Sequence, residues 1–473
     1  MQIAQPAQTT RSVLFVLLLL CAAAAPTARA RGADRPPNVL VILSDDLGYA
    51  DLGCYGAPQI KTPRLDRLAG EGMRFTDFYA AANVCTPSRA ALLTGCYPQR
   101  VSLGEVKRAG DANSSRVLYS NSPYGLNPDE ITLAEIMKSR GYATGMVGKW
   151  HLGDAKEFLP TRQGFDSYFG IPYSNDMTPL VFIRGEEVVE RDPPQASIAD
   201  RYTEESIAFI KKNRDKPFFL YLAHNAPHTP IDVPPAWRGK SAGGLYGDVV
   251  EHLDHNIGRV LDTLADEKLA ENTLVIFTSD NGPWHIRGEQ GGNATPLRAG
   301  KGTTYEGGMR VPCIVRWPAK IPAASVCREL ATQMDLYPSL AAIAEAKLPT
   351  DRIIDGKEIT DLLFAKPGAK SPHDAFFYYS GNRLSAVRAG EWKLKLRTTL
   401  QEETEYGKID NPQTPIEPKL YNLLVDPGEQ KSVLKDHPEI VARLNDLAAR
   451  AREDLGDARM GVVGKNVRPV GER

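Results

Sequence analysis

Four apolar runs constrain the fold of this 473-residue chain more than any other feature. Asn38-Val-Leu-Val-Ile-Leu43 is β-branched and leucine-rich throughout and stops at Ser44-Asp45-Asp46. Residues 274–278 repeat the form and stop at Ser279-Asp280-Asn281-Gly282. Residues 217–222 run into Ala223-His224-Asn225-Ala226-Pro227-His228, and residues 143–147 into Gly148-Lys149-Trp150-His151. A strand that is apolar at every position is buried on both faces, which marks a mostly parallel sheet covered by helices. Helical periodicity over 132–140 and 248–264 supplies such helices, so the main domain is α/β with helices on both faces. Ligands of open α/β sheets bind beyond the carboxyl ends of the strands. Every strand must stop at something polar, so one or two such ends carry no message. Four ends converging on Asp, Asn, Lys and His mark a site.

The chain changes character at residues 366–372, a Pro/Lys/Gly/Ser stretch of linker type. Beyond it 376–379 and 384–387 read as strands. Trp392-Lys-Leu-Lys-Leu396 alternates strictly, the pattern of a half-exposed antiparallel strand. Pro438 opens an amphipathic helix with Ile440, Val441, Leu444, Leu447 and Ala448 on one face. Domains are therefore expected at 31–370, the α/β part, and at 371–473, a small antiparallel sheet with one helix. At the other end, Arg11, an apolar run over 13–25 and Ala28-Arg29-Ala30 form the three parts of a cleaved secretory signal, residues 1–30. The run is short for a bilayer and no later stretch reaches the apolar length of a membrane span. A secreted or periplasmic protein is expected.

Lys plus Arg total 57 against 58 Asp plus Glu, with no tail or stripe of one sign. That balance argues against nucleic acid or an acidic membrane surface as the main partner. Five cysteines remain after the signal: Cys54, Cys85, Cys96, Cys313 and Cys327. They are too few for a disulfide scaffold. Were Cys85 modified, the other four could pair, and Cys313 with Cys327 is the most local option.

The residue types beyond the strands point to chemistry on anionic oxygen. In Val84-Cys85-Thr86-Pro87-Ser88-Arg89, Pro87 suits a first helical turn and Gly95 a C-terminal stop. Cys85 would then lie at the positive end of a helix, where thiols are acidified, with Arg89 one turn on. Asp45, Asp46, Asp280 and Asn281 offer oxygen only, a set suited to Ca²⁺ or Mg²⁺ rather than Zn²⁺. Tandem acids at a strand end could alternatively cap a helix. Lys149 and His151 lie two apart, on one face of an extended segment. His228 is suited to proton delivery near neutral pH, while His224 shapes the pocket. The segment from Pro296 to Pro312 is glycine-rich and basic around Lys301, without P-loop spacing.

Residues 84–95 resemble the core signature of the formylglycine-dependent type I sulfatases, nearest the arylsulfatase A group, with Asn83 as a small departure. Residues 141–151 resemble the second signature, and Lys301-Gly-Thr-Thr-Tyr-Glu306-Gly-Gly-Met-Arg310 a further family segment. The resemblance implies an alkaline-phosphatase-like α/β fold with a small C-terminal antiparallel sheet. It implies that a maturation enzyme oxidises Cys85 to formylglycine, whose hydrate is the nucleophile. One divalent cation, usually Ca²⁺, would be held by Asp45, Asp46, Asp280, Asn281 and the modified Cys85. Arg89, Lys149 and Lys301 would supply positive charge, His151 would hydrogen-bond the hydrate, and His228 would protonate the leaving alcohol. Arg310 and Glu306 would be scaffold, an internal ion pair. The implied substrates are sulfate monoesters of carbohydrates or aryl alcohols. A phosphonate monoester or phosphodiester hydrolase of the same fold is the main alternative. A metal-dependent phosphomutase would want Ser or Thr at position 85 and a second metal set, and a sulfated-glycan binding protein would not need Lys149 or His228.

Overall fold

The computed structural model describes residues 1, 2, 4, 35–107, 114–405 and 410–473. The secretory signal expected at 1–30 lies outside the described residues, apart from its first few. Residues Pro36–Arg473 form one compact unit.

A ten-stranded sheet runs through that unit. Its strands, in chain order, are β1 (Asn38–Ser44), β2 (Met73–Phe75), β3 (Ala143–Gly148), β4 (Ser167–Gly170), β5 (Val181–Arg184), β6 (Glu187–Arg191), β7 (Phe218–Ala223), β8 (Thr273–Ser279), β9 (Cys313–Arg316) and β10 (Ser325–Cys327). Across the sheet they lie in the order β6-β5-β4-β3-β7-β1-β8-β9-β2-β10. The contiguous middle, β4-β3-β7-β1-β8, is parallel throughout. The four runs read as buried strands are therefore neighbours. Every residue of β1, β3, β7 and β8 is buried. Each large aliphatic side chain taken from water in this way contributes about 1.5–3 kcal/mol. Antiparallel pairs appear only toward the edges, at β8–β9–β2 and β4–β5–β6.

Helices α1 (Pro63–Glu71), α4 (Ile198–Lys212) and α5 (Gly244–Asp266) form one packed group. Helices α2 (Cys85–Thr94), α3 (Leu133–Lys138) and α6 (Leu336–Ile343) form another, as a sheet covered twice requires. α3 begins where Thr132 accepts from Glu135 N and Glu135 answers at the Thr132 N–H, a capping box.

The C-terminal part holds β11 (Phe376–Ser380), β12 (Arg383–Ala389), β13 (Trp392–Lys395) and β14 (Lys419–Asn422), all antiparallel. Helix α7 (Pro438–Leu455) packs on β12 and β13. Its expected apolar face is turned inward, Leu444 and Ala448 fully, with Ile440, Val441 and Leu447 partly buried, and it extends to Ala451 and Leu455.

Two expectations are corrected. β13 is not half-exposed, because Lys393 and Lys395 are both buried. Lys393 Nζ lies 2.9 Å from carboxylates of both Glu306 and Glu429, and Lys395 Nζ lies 2.8 Å from Glu403. Alternation reports which side chains share a face, and here the polar face meets buried acids instead of water. The second correction concerns cysteine. Cys54, Cys85, Cys96, Cys313 and Cys327 are all free. Cys313 and Cys327 lie on opposite sides of β2, each facing Phe75. Two strand spacings, about 10 Å, separate them, beyond the reach of a disulfide.

Candidate active site

β1 ends at Ser44 and hands the chain to Asp45 and Asp46, and β8 ends at Ser279 and hands it to Asp280 and Asn281. Ser44 and Ser279 are register partners, so the two polar pairs meet. Asp46 adopts a left-handed φ of 64°. Its Oδ1 accepts from Asn281 Nδ2 at 2.7 Å, and its backbone N–H donates to Asp280 Oδ1 at 3.2 Å.

Helix α2 begins at Cys85, two residues ahead of Pro87, behind an extended Val84, and Gly95 closes it at φ 68°. The whole helix is buried, and Cys85 Sγ lies 3.8 Å from Asp45 Oδ1. One turn on, Arg89 donates from Nη1 to the Lys149 carbonyl at 2.6 Å. Its Nη2 lies 3.2 Å from Asp45 Oδ2. Lys149 Nζ donates to Asp45 Oδ2 and, at 3.1 Å, to Ser174 Oγ. Lys301 Nζ donates to Asp46 Oδ2 at 2.8 Å.

The histidines divide. His228 Nε2 lies 3.7 Å from Asp46 Oδ2, while Nδ1–H donates to its neighbour's carbonyl, Thr229 O. His151 has φ 62°, so Lys149 and His151 do not share an extended segment as their spacing suggested. Lys149 turns to the acids, whereas His151 Nε2–H donates to Leu118 O at 2.9 Å. His151 Nδ1 is buried without a hydrogen-bond partner among the described residues. His224 does not shape the pocket. It is fully buried against Tyr202, ring centroids 6.1 Å apart, and stands outside the cavity wall.

Burial and charge pull the ionisable groups in opposite directions. Burial pushes the Cys85 thiol up to about 12, with Lys149 and Lys301 opposing it. The acidified thiol expected from the helix end is therefore corrected, because removal from water outweighs the helix-end field. Burial and the neighbouring Asp45 and Asp46 carry Asp280 up to about 7 against Arg89. Asp45 moves the other way: burial opposes its charge, but the cations Lys149 and Arg89 hold it well below the usual carboxylate range. Burial, then Lys301, lowers His228 to about 3.

Cys85, His151, His228 and Lys301 line the floor of a cavity of about 790 Å³, with the acids beneath them. Its walls come from residues 114–119, from 174–177, from Trp284 and, in the C-terminal part, from Ser380, Arg383, Glu402 and Glu405 among others. A second cavity, of about 810 Å³ between residues 50–60 and 287–293, contains none of the expected site residues. Sequence reading does not single out Ser174, Trp284 or Glu405, all of which bear on the site. Trp284 alone carried a local signal, standing three residues beyond Asn281 at a strand end. Glu306 and Arg310 lie 3.6 Å apart and also bind Tyr79, Tyr378, Lys393 and Asp77, so this pair is scaffold.

The donor set fits a hard divalent cation. Asn281 Oδ1 is buried and lacks a hydrogen-bond partner among the described residues, as a ligand oxygen would. Ligand atoms of Asp45, Asp46, Cys85 and His228 lie within 4.8 Å of one another, which sets the His228 imidazole beside the expected ligands.

Comparison with known proteins decides the class. The sulfatase family matches residues 37–346, and the C-terminal region of aryl-sulfatase matches 371–471. The chain belongs to the sulfatase family. It is 38% identical to arylsulfatase A of Homo sapiens over 91% of this chain and 89% of that protein. It is 41% identical to N-acetylgalactosamine-6-sulfatase of Canis lupus familiaris over 80% of this chain and 74% of that protein. A Bacteroides thetaiotaomicron structure tied to metabolism of multiple glycosaminoglycans superposes with a TM-score of 0.75 at 31% identity, covering 88% of this chain and 99% of that one. The fold is the alkaline-phosphatase-like fold of sulfatases, and this sulfatase is a sulfuric ester hydrolase. Among its described residues no helix is long and apolar enough to cross a membrane.

Proposed function

We propose that this sulfatase removes sulfate from sulfated carbohydrates, using the cavity above Cys85. The observation that supports the reading most is the convergence of Cys85, His151, His228 and Lys301 on one floor beneath a space of about 790 Å³, large enough for a sugar residue. Arg89, Lys149 and Lys301 surround that floor with fixed positive charge, suited to oxygens that carry negative charge from binding through to release.

Asp45, Asp46, Asp280 and Asn281, with residue 85, would hold one divalent cation, Ca²⁺ by their hard oxygens. When bound it supplies Lewis-acid charge to a sulfuryl oxygen. Conversion of Cys85 to formylglycine by a maturation enzyme would replace an inert, protonated thiol with an oxygen nucleophile. His151 Nδ1, buried without a partner among the described residues and lining the same cavity as residue 85, would accept its proton. His228 would deliver a proton to the leaving alcohol through Nε2, since its Nδ1 is committed to Thr229. Burial and Lys301 hold the ring neutral beforehand, and the incoming anion favours the proton it needs. An exported location follows from the signal read at residues 1–30.

The test is turnover of sulfated monosaccharides and oligosaccharides by protein matured with formylglycine-forming machinery, with peptide mass spectrometry at Cys85. Active protein whose position 85 is wholly an alkylatable thiol defeats the mechanism. Faster cleavage of a phosphonate ester than of the matching sulfate ester selects the alternative hydrolase.

A further inference from the structure

Glu405 lines the same cavity from the C-terminal side. Its side chain is 10% exposed, yet only one of its oxygens is engaged. Oε1 accepts from His285 Nδ1 at 2.9 Å, whereas Oε2 is buried with no hydrogen-bond partner among the described residues. A carboxylate oxygen taken out of water without a donor is costly and needs an explanation. The group also stands beside the catalytic floor. Oε1 comes within 3.2 Å of where a Cβ on Gly300 would sit, and Gly300 precedes Lys301. The indole of Trp284, one residue before His285, forms part of the same cavity wall, its ring 4.4 Å from Lys301 Nζ.

A carboxylate accepts and does not donate, so its complement is a hydroxyl or an N–H. The sulfate half of the substrate is an anion with acceptor oxygens and is repelled by Glu405. The complementary donor must therefore belong to the alcohol half of the ester. A simple aryl alcohol offers a ring without donors. A pyranose offers several ring hydroxyls, and an apolar C–H face for Trp284.

We propose that Glu405 is a specificity-determining residue whose Oε2 accepts a hydrogen bond from a free ring hydroxyl of a sugar sulfate. The inference rests on the reading of this cavity as the sulfate-ester site, and it sets sugar sulfates above aryl sulfates as the substrate class. Trp284 and Glu405 then grip opposite characters of one sugar, its apolar face and its hydroxyl edge.

The experiment compares kcat/KM on a panel of sulfated monosaccharides with kcat/KM on 4-nitrophenyl sulfate. Wild type, Glu405→Gln and Glu405→Leu are measured. The sugar-to-aryl ratio falls about 10- to 100-fold in Glu405→Leu, the range for a hydrogen bond to a charged group. Glu405→Gln lies between, because its amide oxygen still accepts. A second arm needs no folded variant: the best sugar sulfate is resynthesised with each ring hydroxyl replaced in turn by hydrogen. One deoxy compound loses a similar factor on wild type, and on Glu405→Leu it loses nothing further. An unchanged ratio, equal losses on sugar and aryl sulfates, or indifference to every deoxy compound overturns the proposal. Wild type that cleaves the aryl sulfate but no sugar sulfate overturns it while leaving the sulfatase site intact. Wild type that cleaves neither removes the site reading as well.

Discussion

Arg89 and Asp280 form a buried pair in which both Nε and Nη2 of the guanidinium donate to a single carboxylate oxygen, Oδ2, at 3.1 and 2.9 Å. Neither side chain is exposed. The arrangement leaves Asp280 Oδ1 turned toward Asp46, where among the described residues it accepts a backbone N–H alone. Arg89 thus fixes which oxygen of Asp280 faces the proposed cation. It also ties the start of α2 to the ends of β3 and β8 through the Lys149 carbonyl. One side chain sets the relative placement of Cys85, the proposed cation ligands and Lys149.

Removing Arg89 should therefore cost stability as well as activity. Arg89→Leu strands Asp280 and Asp45 in the interior, and breaking one partner of a buried pair costs about 3–5 kcal/mol. Arg89→Lys keeps the charge but cannot donate to Asp280 and the Lys149 carbonyl in the same fork, so it too should lose activity. Urea unfolding and turnover on an aryl sulfate measure both. An Arg89→Leu protein with wild-type stability would mean that the buried pair contributes nothing.

Acid should destabilise the protein partly through His224. Burial, then His252, lowers this imidazole to about 3 from an ordinary 6.5. Between those values the unfolded chain binds more protons than the folded one, so stability is complete above pH 6.5 and falls as pH drops toward 3. Both ring nitrogens lack hydrogen-bond partners among the described residues, so a phenyl ring of similar shape forfeits nothing polar. His224→Phe should flatten the acid limb of a stability–pH curve by about 1.4 kcal/mol per pH unit, the slope of one proton. An identical slope in both proteins would count against a neutral buried His224.

Most of this site was legible in the sequence because strand ends are local. A continuous apolar run followed by Asp-Asp or Asp-Asn needs no long-range knowledge to read as a buried strand opening onto a site. What escaped reading depends on partners far along the chain. Lys393 reads as a solvent-facing residue until Glu306, 87 residues away, is placed against it. The thiol of Cys85 reads as acidic from its helix end alone, and only the packing above it reveals burial as the larger effect. Glu405 belongs to a segment with no strong periodicity, and its significance comes only from lying over Gly300.

Calcium should bind to the folded protein independently of catalysis. Asn281 Oδ1 has no partner among the described residues, while Asn281 Nδ2 holds Asp46 Oδ1 in place. Adding Ca²⁺ to chelator-stripped protein should raise Tm, since a ligand that binds only the folded state at 100 times its Kd adds about 2.7 kcal/mol. Asn281→Leu removes an oxygen ligand and the Asp46 brace together, so most of the rise should vanish. Elemental analysis that finds stoichiometric zinc, or a Tm indifferent to calcium, would contradict the oxygen-ligand assignment.

Charge selectivity is the sharpest test of the site as a whole. Asp45, Asp46 and Asp280 face Arg89, Lys149 and Lys301, so acids and bases balance formally before anything binds. A divalent cation leaves that floor positive, enough to attract the single charge of a sulfate monoester and to release it after hydrolysis. A phosphate monoester dianion would neutralise the same excess more completely and be held more tightly, which favours inhibition over turnover. Sulfate monoesters should therefore show much higher kcat/KM than phosphate monoesters with the same leaving group, with phosphate acting as an inhibitor. Lys301→Ala probes which state the charge serves. A raised KM with unchanged kcat would indicate ground-state anchoring, and a fall in kcat alone stabilisation of the transition state. Both should suffer, kcat by about 10²-fold, the cost of removing one preorganised donor from an anion site. Wild-type kinetics in Lys301→Ala would exclude Lys301 from the site, although its ammonium lies 2.8 Å from Asp46.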